Sequence, residues 1–340
     1  MKMAIFGATG QVGSVMINIL AESNLKIDEL RLFASPKSAG KKLYFQGEEI
    51  VVEDSYSGDY SGIDVALFSC GKAASLELAP AVGKAGAIVI DNSSAWRMDD
   101  EVPLVVPEVN PEDLKKIKKN IVANPNCTTM IAMPVLAPVR DAVGIKRVIV
   151  TSFQAVSGAG VAGVKELSEQ IEALGDNAAL LTFSGESADT ITPETFKAPI
   201  AYNVVPFAGA LASDGSGETD EEQKWRNESR KILGLPELLV DCTCVRVPVF
   251  TGHSLSLHLE LQNDLDPETA KELLTNARSV VLADIPTPLM AAGKNPTFVG
   301  RIRRDATVEN GLAMFLTGDN LRKGAALNTV QIAEELARQG

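Results

Sequence analysis

Short apolar runs alternate with longer amphipathic stretches over residues 1–125 of the chain. Apolar runs bounded by turn residues predict strands, and stretches with one apolar face predict helices. The predicted order is strand 3–6, helix 13–23, strands 29–34 and 65–69, helix 73–85, and strands 88–91 and 121–123. Alternation of this kind is typical of an α/β fold with a parallel, doubly wound sheet of the Rossmann type.

The remainder of the chain is richer in strands. Strands are predicted at 147–155, 239–249, 253–261, 298–304 and 312–317, with a helix at 266–276. Because few helices separate these strands, we expect a mixed or antiparallel sheet in a second, α+β domain. A final helix at about 325–336 has one apolar face and can pack on the first domain.

A chain of 340 residues is long for a single hydrophobic core, so two domains are expected. We assign residues 1–126 and about 320–340 to the first domain and residues 127–319 to the second. The segment 213–225 is rich in Gly and Ser and then acidic. This composition predicts a mobile loop that leads into a helix.

The composition, 45% hydrophobic and 22% charged, is that of a folded globular protein. A net charge of −12 disfavours binding to nucleic acid or anionic membranes, because both need clustered positive charge. We find no signal peptide and no apolar run of the ~18 residues that a membrane helix needs. The four cysteines are scattered and suggest neither a disulfide framework nor a metal site, although Cys242 and Cys244 should share one face of a strand. We therefore expect a cytoplasmic protein without a metal, in which any anionic ligand is held by a local site.

A glycine-rich loop separates the first predicted strand from the first predicted helix. It reads Gly7-Ala8-Thr9-Gly10-Gln11-Val12-Gly13. In this context backbone N–H groups can approach a pyrophosphate at the N-terminus of the helix. We predict that the residues of this loop bind a dinucleotide, and a tight turn without a ligand is the alternative. The predicted contacts are Gly7, Thr9, Gly10, Gln11 and Val12.

The second predicted strand lacks the acidic residue at its end that would mark a preference for NAD. The following residues, 35–42, offer hydroxyl groups and cations instead. Lys37 and Ser38 are therefore predicted to bind the 2′-phosphate of NADP. The alternative is an ordinary solvated basic loop.

The most specific local pattern is Asn124-Pro125-Asn126-Cys127-Thr128-Thr129. A proline and a capping-type asparagine precede a predicted helix at 128–143, although Pro134 and Pro138 fall in its interior. The thiol of Cys127 should therefore lie at a helix N-terminus, where free N–H groups and the helix dipole favour thiolate. We predict that Cys127 is a nucleophile, and a small buried apolar residue is the alternative.

The chain has two histidines, His253 and His258. Leucines alternate with polar residues over 254–261, so His258 should lie in mid-strand on the polar face. His253 opens the strand after Gly252, at a point that a cleft can reach. We predict that His253, as a neutral imidazole, takes the proton of Cys127 and serves as the acid/base. A structural histidine is the alternative.

Three motifs in this order and spacing resemble the aspartate-semialdehyde dehydrogenase family: G-A-T-G-x-V-G, N-P-N-C-T-T and R-V-P-V-x-x-G-H-S. The resemblance covers essentially the whole chain. It implies a nicotinamide-binding Rossmann domain, a catalytic and dimerisation domain, and a homodimer. The implied reaction is reversible reduction of β-aspartyl phosphate by NADPH to aspartate β-semialdehyde and phosphate, in the biosynthesis of lysine, threonine, methionine and isoleucine. Lys37 replaces the arginine of many members, so the preference for NADP over NAD stays open.

The resemblance also implies roles for individual residues. The family histidine of the G-H-S motif maps onto His253, and Arg246, a cation in an apolar strand, needs an anionic partner. Judged without the resemblance, residues 220–224 would be a solvated charge run and the other positions a strand end and turns. The implied roles are phosphate binding for Arg97 and Lys224, contact with the substrate amino group for Glu221, a bidentate grip on the α-carboxylate for Arg246, orientation of substrate for Gln154, a substrate contact for Asn126, and contacts with the nicotinamide end for Ser157, Gly158 and Asn320.

Two other functions remain open at this point. One is a sister enzyme that reduces N-acetyl-glutamyl phosphate. That enzyme shares the glycine loop and the use of a cysteine and a histidine, but its cysteine motif is different. The other is a non-catalytic, nucleotide-sensing or scaffold homologue. The joint presence of Cys127, Gln154, Arg246 and His253 argues against the second.

Overall fold

The structure, a computed structural model, describes residues 1–56 and 58–339. Gly340, the last residue of the predicted 320–340 segment, lies outside the described residues. Up to the middle of the chain the elements are β1 (Lys2–Phe6), α1 (Gln11–Glu22), β2 (Glu29–Ala34), β3 (Lys42–Phe45), β4 (Glu48–Val51), β5 (Glu53–Asp54), β6 (Val65–Phe68), α2 (Lys72–Lys84), β7 (Ile88–Asp91), β8 (Ile121–Ala123) and α3 (Cys127–Val143).

The remaining elements follow in chain order. They include a π-helical turn at Arg322–Ala326 directly before the last helix. The strands and helices are β9 (Ile145–Gln154), α4 (Gly160–Leu174), α5 (Asp220–Leu233), β10 (Leu239–Arg246), β11 (His253–Leu261), α6 (Pro267–Thr275), β12 (Val280–Leu282), α7 (Pro288–Ala291), β13 (Thr297–Arg304), β14 (Gly311–Gly318) and α8 (Leu327–Gln339).

The chain forms two compact units, each built from separate segments. The first comprises Met1–Ala137, Asn227–Pro236 and Leu321–Gly340, and the second comprises Pro138–Arg226 and Glu237–Asn320. The first unit therefore extends past the expected boundary at residue 126. It also takes in a segment, Asn227–Pro236, that the sequence analysis had assigned to the second domain.

The sheet of the first unit has the order β5-β2-β1-β6-β7-β8, and all of its strand pairs are parallel. This confirms the Rossmann-type prediction. Its central strands are buried almost continuously, as expected where helices cover both faces. The core joins residues of the strands, such as Ile5 and Leu67, to Val330 and Ile332 of α8. The C-terminal helix is thus part of the core of this unit.

The sheet of the second unit has the order β10-β9-β11-β14-β13-β12. The two edge strands, β10 and β12, pair in parallel with their neighbours, and the central pairs are antiparallel. This is the predicted mixed sheet. The leucines of β11 are buried on one face, which confirms the alternation expected for that strand. Over residues 1–56 and 58–339, no helix is both long and apolar enough to cross a membrane.

Candidate active site

The loop after β1 is shaped by glycines. Gly7 has a φ of +84°, and a Cβ at this position would lie 2.3 Å from the carbonyl oxygen of Ser69. A Cβ at Gly13 would lie 2.2 Å from the carbonyl oxygen of Gly7, so α1 can start close to β1 only with glycine there. Gly10 precedes the first helical residue, Gln11. In the predicted phosphate loop, the N-terminus of α1 therefore lies close to the end of β1.

A cavity of about 300 Å³ lies beside this loop. Gly7, Thr9 and Gly10 line it, together with Ala34 and Ser35 at the end of β2. Its described lining contains small, polar and apolar side chains and no carboxylate, in agreement with the missing acidic residue after β2. Lys37 and Ser38 follow in the short 3₁₀ turn Pro36–Ser38, where Lys37 is exposed and Ser38 half-buried. Gln11 and Val12 form the first turn of α1.

Cys127 is the first residue of α3 and is half-buried. The side chain of Asn126 caps this helix, because its Oδ1 accepts the N–H of Thr128 at 3.0 Å and the Thr128 hydroxyl at 2.7 Å. The Sγ of Cys127 lies 4.0 Å from the same Oδ1. The helix continues to Val143 despite its two internal prolines. The thiol is therefore at the predicted helix N-terminus.

Arg97 is buried next to the loop that precedes Cys127. Its Nε donates to the carbonyl of Asn124 at 2.9 Å and its Nη2 to the carbonyl of Asn92 at 2.8 Å. Its Nη1 donates to Oε1 of Glu228, also at 2.9 Å. Three of the five guanidinium N–H groups are thus engaged, which leaves two for a ligand. The structure brings the predicted phosphate-binding arginine to the segment that precedes Cys127.

Two residues of α5 that the sequence analysis missed lie in the same neighbourhood. Oε2 of Glu228 accepts the backbone N–H of Asn126 at 2.6 Å. Nζ of Lys231 donates to the carbonyls of Arg97, Asp99 and Val102 at 2.9, 2.8 and 3.0 Å. Burial lowers the pKa of Lys231 below its ordinary value. Both side chains therefore hold backbone in the segments around Arg97 and Asn126.

A signal for these residues exists in the sequence. Glu221, Lys224, Glu228 and Lys231 follow one another at spacings of three and four along α5, so they share one face of the helix. A charged stripe of this kind is usually solvated. The partners of Glu228 come from residues 97 and 126, far away along the chain, and no local pattern identifies them.

The π-helical turn is packed against Cys127. A Cβ at Gly324 would lie 2.9 Å from the Cβ of Cys127. Its neighbour Lys323 is fully buried and forms an ion pair with Glu108 at 2.7 Å and a hydrogen bond with Gln331 at 2.9 Å. A buried charge needs such partners, so this pair fixes the turn in place.

In the second unit, His253 is the first residue of β11 and is fully buried. The ring is therefore not exposed to solvent, in contrast to the open cleft expected at this position. Nδ1 accepts the backbone N–H of Ala155 at 2.9 Å, and Nε2 has no hydrogen-bond partner among residues 1–56 and 58–339. Burial, followed by the positive charge of Arg246, holds the pKa of His253 well below its ordinary value.

Arg246 ends β10 directly beside Gln154, the last residue of β9, and both are buried. Its Nη1 donates to the carbonyl of Ala155 at 2.7 Å, and its guanidinium lies 5.7 Å from the ring centre of Phe196. A Cβ at Gly158 would lie 2.9 Å from this Nη1 and 3.1 Å from Nε2 of His253. Only glycine therefore fits at position 158 beside the side chains of Arg246 and His253.

The side-chain amide of Asn320 joins two loops next to this histidine. Its Nδ2 donates to the hydroxyl of Ser157 at 2.9 Å, and its Oδ1 accepts the N–H of Gly252 at 2.9 Å. The structure therefore brings together within one unit the predicted residues Gln154, Ser157, Gly158, Arg246, His253 and Asn320.

Lys224 and Glu221 pair at the start of α5. Nζ of Lys224 lies 2.8 Å from Glu221 and 2.5 Å from Asp220. Burial alone would lower the pKa of Lys224, but the two carboxylates outweigh it and raise the pKa. The side chains are 24% and 15% exposed, so this pair is more enclosed than a solvated charge run.

The other histidine and the other cysteines lack the features of reactive groups. His258 is 41% exposed and contacts Asp305 at 2.7 Å. Burial and then the nearby Asp91 raise the pKa of Cys70 to about 12. Cys242 and Cys244 are buried on β10 with their sulfur atoms 3.7 Å apart, as their spacing predicted, and this contact and burial raise the pKa of Cys242. No three His, Cys, Asp or Glu side chains within the described ranges are grouped as metal ligands.

Comparison with known proteins bears on both units. Residues 2–117 match the family model "Semialdehyde dehydrogenase, NAD binding domain", and residues 136–323 match "Semialdehyde dehydrogenase, dimerisation domain". An aspartate-semialdehyde dehydrogenase of Corynebacterium melassecola is 56% identical over 341 residues, which cover 99% of each chain.

Solved structures agree with these matches. Aspartate semialdehyde dehydrogenase II of Vibrio cholerae, complexed with ASA, has a TM-score of 0.92 and 42% identity, with 99% of this chain and 98% of that chain covered. The enzyme of Candida albicans with NADP has a TM-score of 0.73 and 26% identity, with coverage of 99% and 98%. From the matches of both units and the full-length relatives, this chain belongs to the aspartate-semialdehyde dehydrogenase family of nicotinamide-dependent oxidoreductases.

Proposed function

We propose that this protein reduces L-4-aspartyl phosphate with NADPH to L-aspartate 4-semialdehyde and phosphate, reversibly and through a thioacyl intermediate on Cys127. The products would feed the biosynthesis of lysine, threonine, methionine and isoleucine. The observation that carries the proposal is the position of Cys127 at the capped N-terminus of α3. Partial positive charge at a helix N-terminus favours a thiolate nucleophile and the oxyanion that its attack creates.

In the reductive direction, Sγ of Cys127 attacks the acyl carbon, and the bond from that carbon to the phosphate oxygen breaks. Arg97 and Lys224 neutralise the charge of the departing phosphate. NADPH, when bound, supplies the hydride that reduces the thioacyl carbonyl. The carbon–sulfur bond then breaks, which releases the aldehyde and restores the thiolate. The covalent step divides one difficult displacement into two easier ones.

Other candidate residues would hold the substrate. The planar guanidinium of Arg246 suits a bidentate pair with the α-carboxylate, Glu221 meets the amino group and Gln154 orients the acyl group. Nε2 of His253 exchanges a proton with the substrate oxygen during formation and collapse of the tetrahedral intermediates. Asn126 adds a substrate contact beside the sulfur.

We assign NADP as the cofactor. The cavity beside β1 suits a dinucleotide, because only glycine fits at Gly7 and Gly13 and backbone can approach a pyrophosphate there. Gly7, Thr9, Gly10, Gln11 and Val12 would hold the pyrophosphate, and Lys37 and Ser38 the 2′-phosphate. Ser157, Gly158 and Asn320 would contact the nicotinamide end. The Candida albicans relative that was solved with NADP supports this choice.

We also propose a homodimer in the cytoplasm. The match of residues 136–323 to a dimerisation domain supports the dimer. The structure describes all four cysteines and pairs none of them in a disulfide, which suits a reducing compartment.

The test is reduction of NADP by L-aspartate β-semialdehyde. The absorbance of the NADPH formed is measured with and without inorganic phosphate. We expect phosphate-dependent activity with NADP above that with NAD, and its loss in Cys127→Ser, because the hydroxyl is a far weaker nucleophile. Cys242→Ala is the matched control: it removes a buried sulfur remote from the chemistry and should keep most of the activity.

The proposal fails if the folded wild type shows no phosphate-dependent activity, or if Cys127→Ser keeps the wild-type rate. A parallel assay with the N-acetyl-glutamate semialdehyde tests the sister reaction. A higher rate with that aldehyde would replace the proposed substrate.

A further inference from the structure

The carboxylate of Glu228 lies between the predicted phosphate-binding cation and the loop of the nucleophile. It is 1% exposed. One oxygen accepts Nη1 of Arg97 at 2.9 Å, and the other accepts the backbone N–H of Asn126 at 2.6 Å. A buried carboxylate is costly unless it is paired, so the two contacts stabilise its charged form here.

The contact with Arg97 fixes the direction of the guanidinium. Together with the carbonyls of Asn92 and Asn124, Glu228 holds one N–H on each of the three nitrogens. A planar group held at three points cannot rotate, and its two remaining N–H groups keep one orientation. The group that would meet phosphate is therefore preset before substrate arrives.

The contact with Asn126 fixes the start of α3. Asn126 is the residue whose side chain caps the helix, and Cys127 follows it directly. A hydrogen bond to the backbone of the capping residue sets where the first helical residue begins. The two oxygens of one carboxylate thus hold Arg97 and the residue that precedes Cys127.

We propose that Glu228 is a positioning residue for the reaction, which holds the guanidinium of Arg97 and the N-terminus of the nucleophile helix at a fixed separation. The inference rests on the proposed function, because it assumes phosphate transfer at Cys127. Displacement by about 1 Å of a reacting group can cost roughly 100-fold in rate, so such a brace has a measurable effect.

The test variant is Glu228→Gln, which keeps the length of the side chain but leaves one acceptor oxygen for two donors. In aldehyde oxidation we expect the KM for phosphate to rise by about tenfold or more, with a smaller change in the KM for the aldehyde. The second readout is alkylation of Cys127 by iodoacetamide as a function of pH, corrected with Cys127→Ser. Because the nearby negative charge is lost, its midpoint should shift to lower pH.

Two further variants separate positioning from folding. Glu166→Gln is the matched control, since Glu166 is a buried carboxylate that accepts backbone N–H groups of residues 194 and 195. It should change the melting temperature without the selective rise in the KM for phosphate. Glu228→Asp keeps the charge but is shorter, so it should restore the wild-type alkylation midpoint while the KM for phosphate stays raised. If Glu228→Gln does not fold, the Asp variant carries the test through its KM.

An unchanged KM for phosphate in both variants, in a wild-type enzyme with phosphate-dependent activity, would overturn the inference. Equal losses for phosphate and aldehyde without a shifted alkylation profile would also overturn it. Absence of wild-type activity would instead count against the proposed function.

Discussion

Protonation of His253 is set by a single backbone contact. Because the N–H of Ala155 donates to Nδ1, that nitrogen carries the lone pair, and the proton of the neutral ring sits on Nε2. Protonation of Nδ1 would place two hydrogens against each other. Burial and Arg246 disfavour the cation as well. This tautomer suits the proposed donation from Nε2 to a substrate oxygen, whereas the expected abstraction of the Cys127 proton would require the other tautomer.

The lowered pKa of His253 predicts how stability depends on pH. Below about pH 6.5, the ordinary pKa of histidine, this side chain binds a proton in the unfolded chain but not in the folded protein. The free energy of unfolding therefore decreases as the pH falls below this value. The loss from this group is about 1.4 kcal/mol one pH unit below 6.5. We expect the free energy of unfolding in urea, compared between pH 7.5 and pH 5.5, to fall less in His253→Asn than in the wild type. Identical falls would contradict the prediction.

Local chemistry identifies some site residues and leaves others hidden. Cys127 and His253 stand out because a helix start and a strand start surround them with recognisable neighbours. Arg97, Lys224 and Asn320 carry no local signal of their own, and their predicted roles come from the family resemblance alone. Glu228 was missed, because its neighbours on α5 are charged and the side chain looks solvated until its distant partners are known.

At the level of elements, the π-helical turn before α8 lies next to Cys127. Its buried Lys323–Glu108 pair fixes it, and Gly324 touches Cys127. Such turns are rare and occur often at functional sites. The final helix was predicted from its apolar face, but the π-turn was not, because a widened turn has no pattern that distinguishes it from an ordinary helix start.

Gly324→Ala should push against the start of α3. The added methyl would lie 2.9 Å from the Cβ of Cys127, too close for a carbon contact, so helix or turn must shift. We expect destabilisation of roughly 1–3 kcal/mol and a fall in kcat of about tenfold or more, with cofactor affinity retained. Gly185→Ala is the control, because a Cβ there meets no atom within 4 Å. A wild-type kcat for Gly324→Ala would rule out a role of this turn in placing Cys127.

Other elements show where periodicity is a sufficient guide. Strands β2, β7, β8 and β11 have their predicted ends, because apolar runs and turn residues bound them clearly. The β3–β4 hairpin was missed: its turn is Gln46-Gly47, both at positive φ, without the Asn or Asp usual at the first position. Helix α5 begins inside the expected loop, since Thr219 and Glu222 form a capping box there.

At the scale of the whole molecule, each unit is assembled from segments that are separated along the chain. The first unit is completed by Asn227–Pro236 and by the C-terminal segment with α8. Val330 and Ile332 of that helix are almost fully buried in its core. The sequence predicts the return of the C-terminal segment from the apolar face of its last helix, but the segment Asn227–Pro236 lies within a single helix and the turn after it, where no change of composition marks a boundary.

A chain of residues 1–137 should therefore fail to fold cooperatively. Each fully buried Val, Leu or Ile contributes about 1.5–3 kcal/mol, so loss of α8 removes several kcal/mol from a unit of ordinary stability, about 5–15 kcal/mol. We expect no sharp thermal transition by circular dichroism for residues 1–137. A fusion that adds residues 321–340 through a flexible linker should recover part of it. Cooperative melting of 1–137 alone would contradict this account.

The discontinuous first unit also has a consequence for protein synthesis. Cys127 leaves the ribosome well before two residues that lie against the start of its helix. Glu228 accepts the backbone N–H of Asn126, and Gly324 packs close to Cys127. At ~5–20 residues per second, the 197 residues added after Cys127, up to and including Gly324, take about 10–40 s. During that interval the nascent chain carries an unassembled cysteine. The reactive centre is thus one of the last features to mature, and a prematurely terminated chain would lack it.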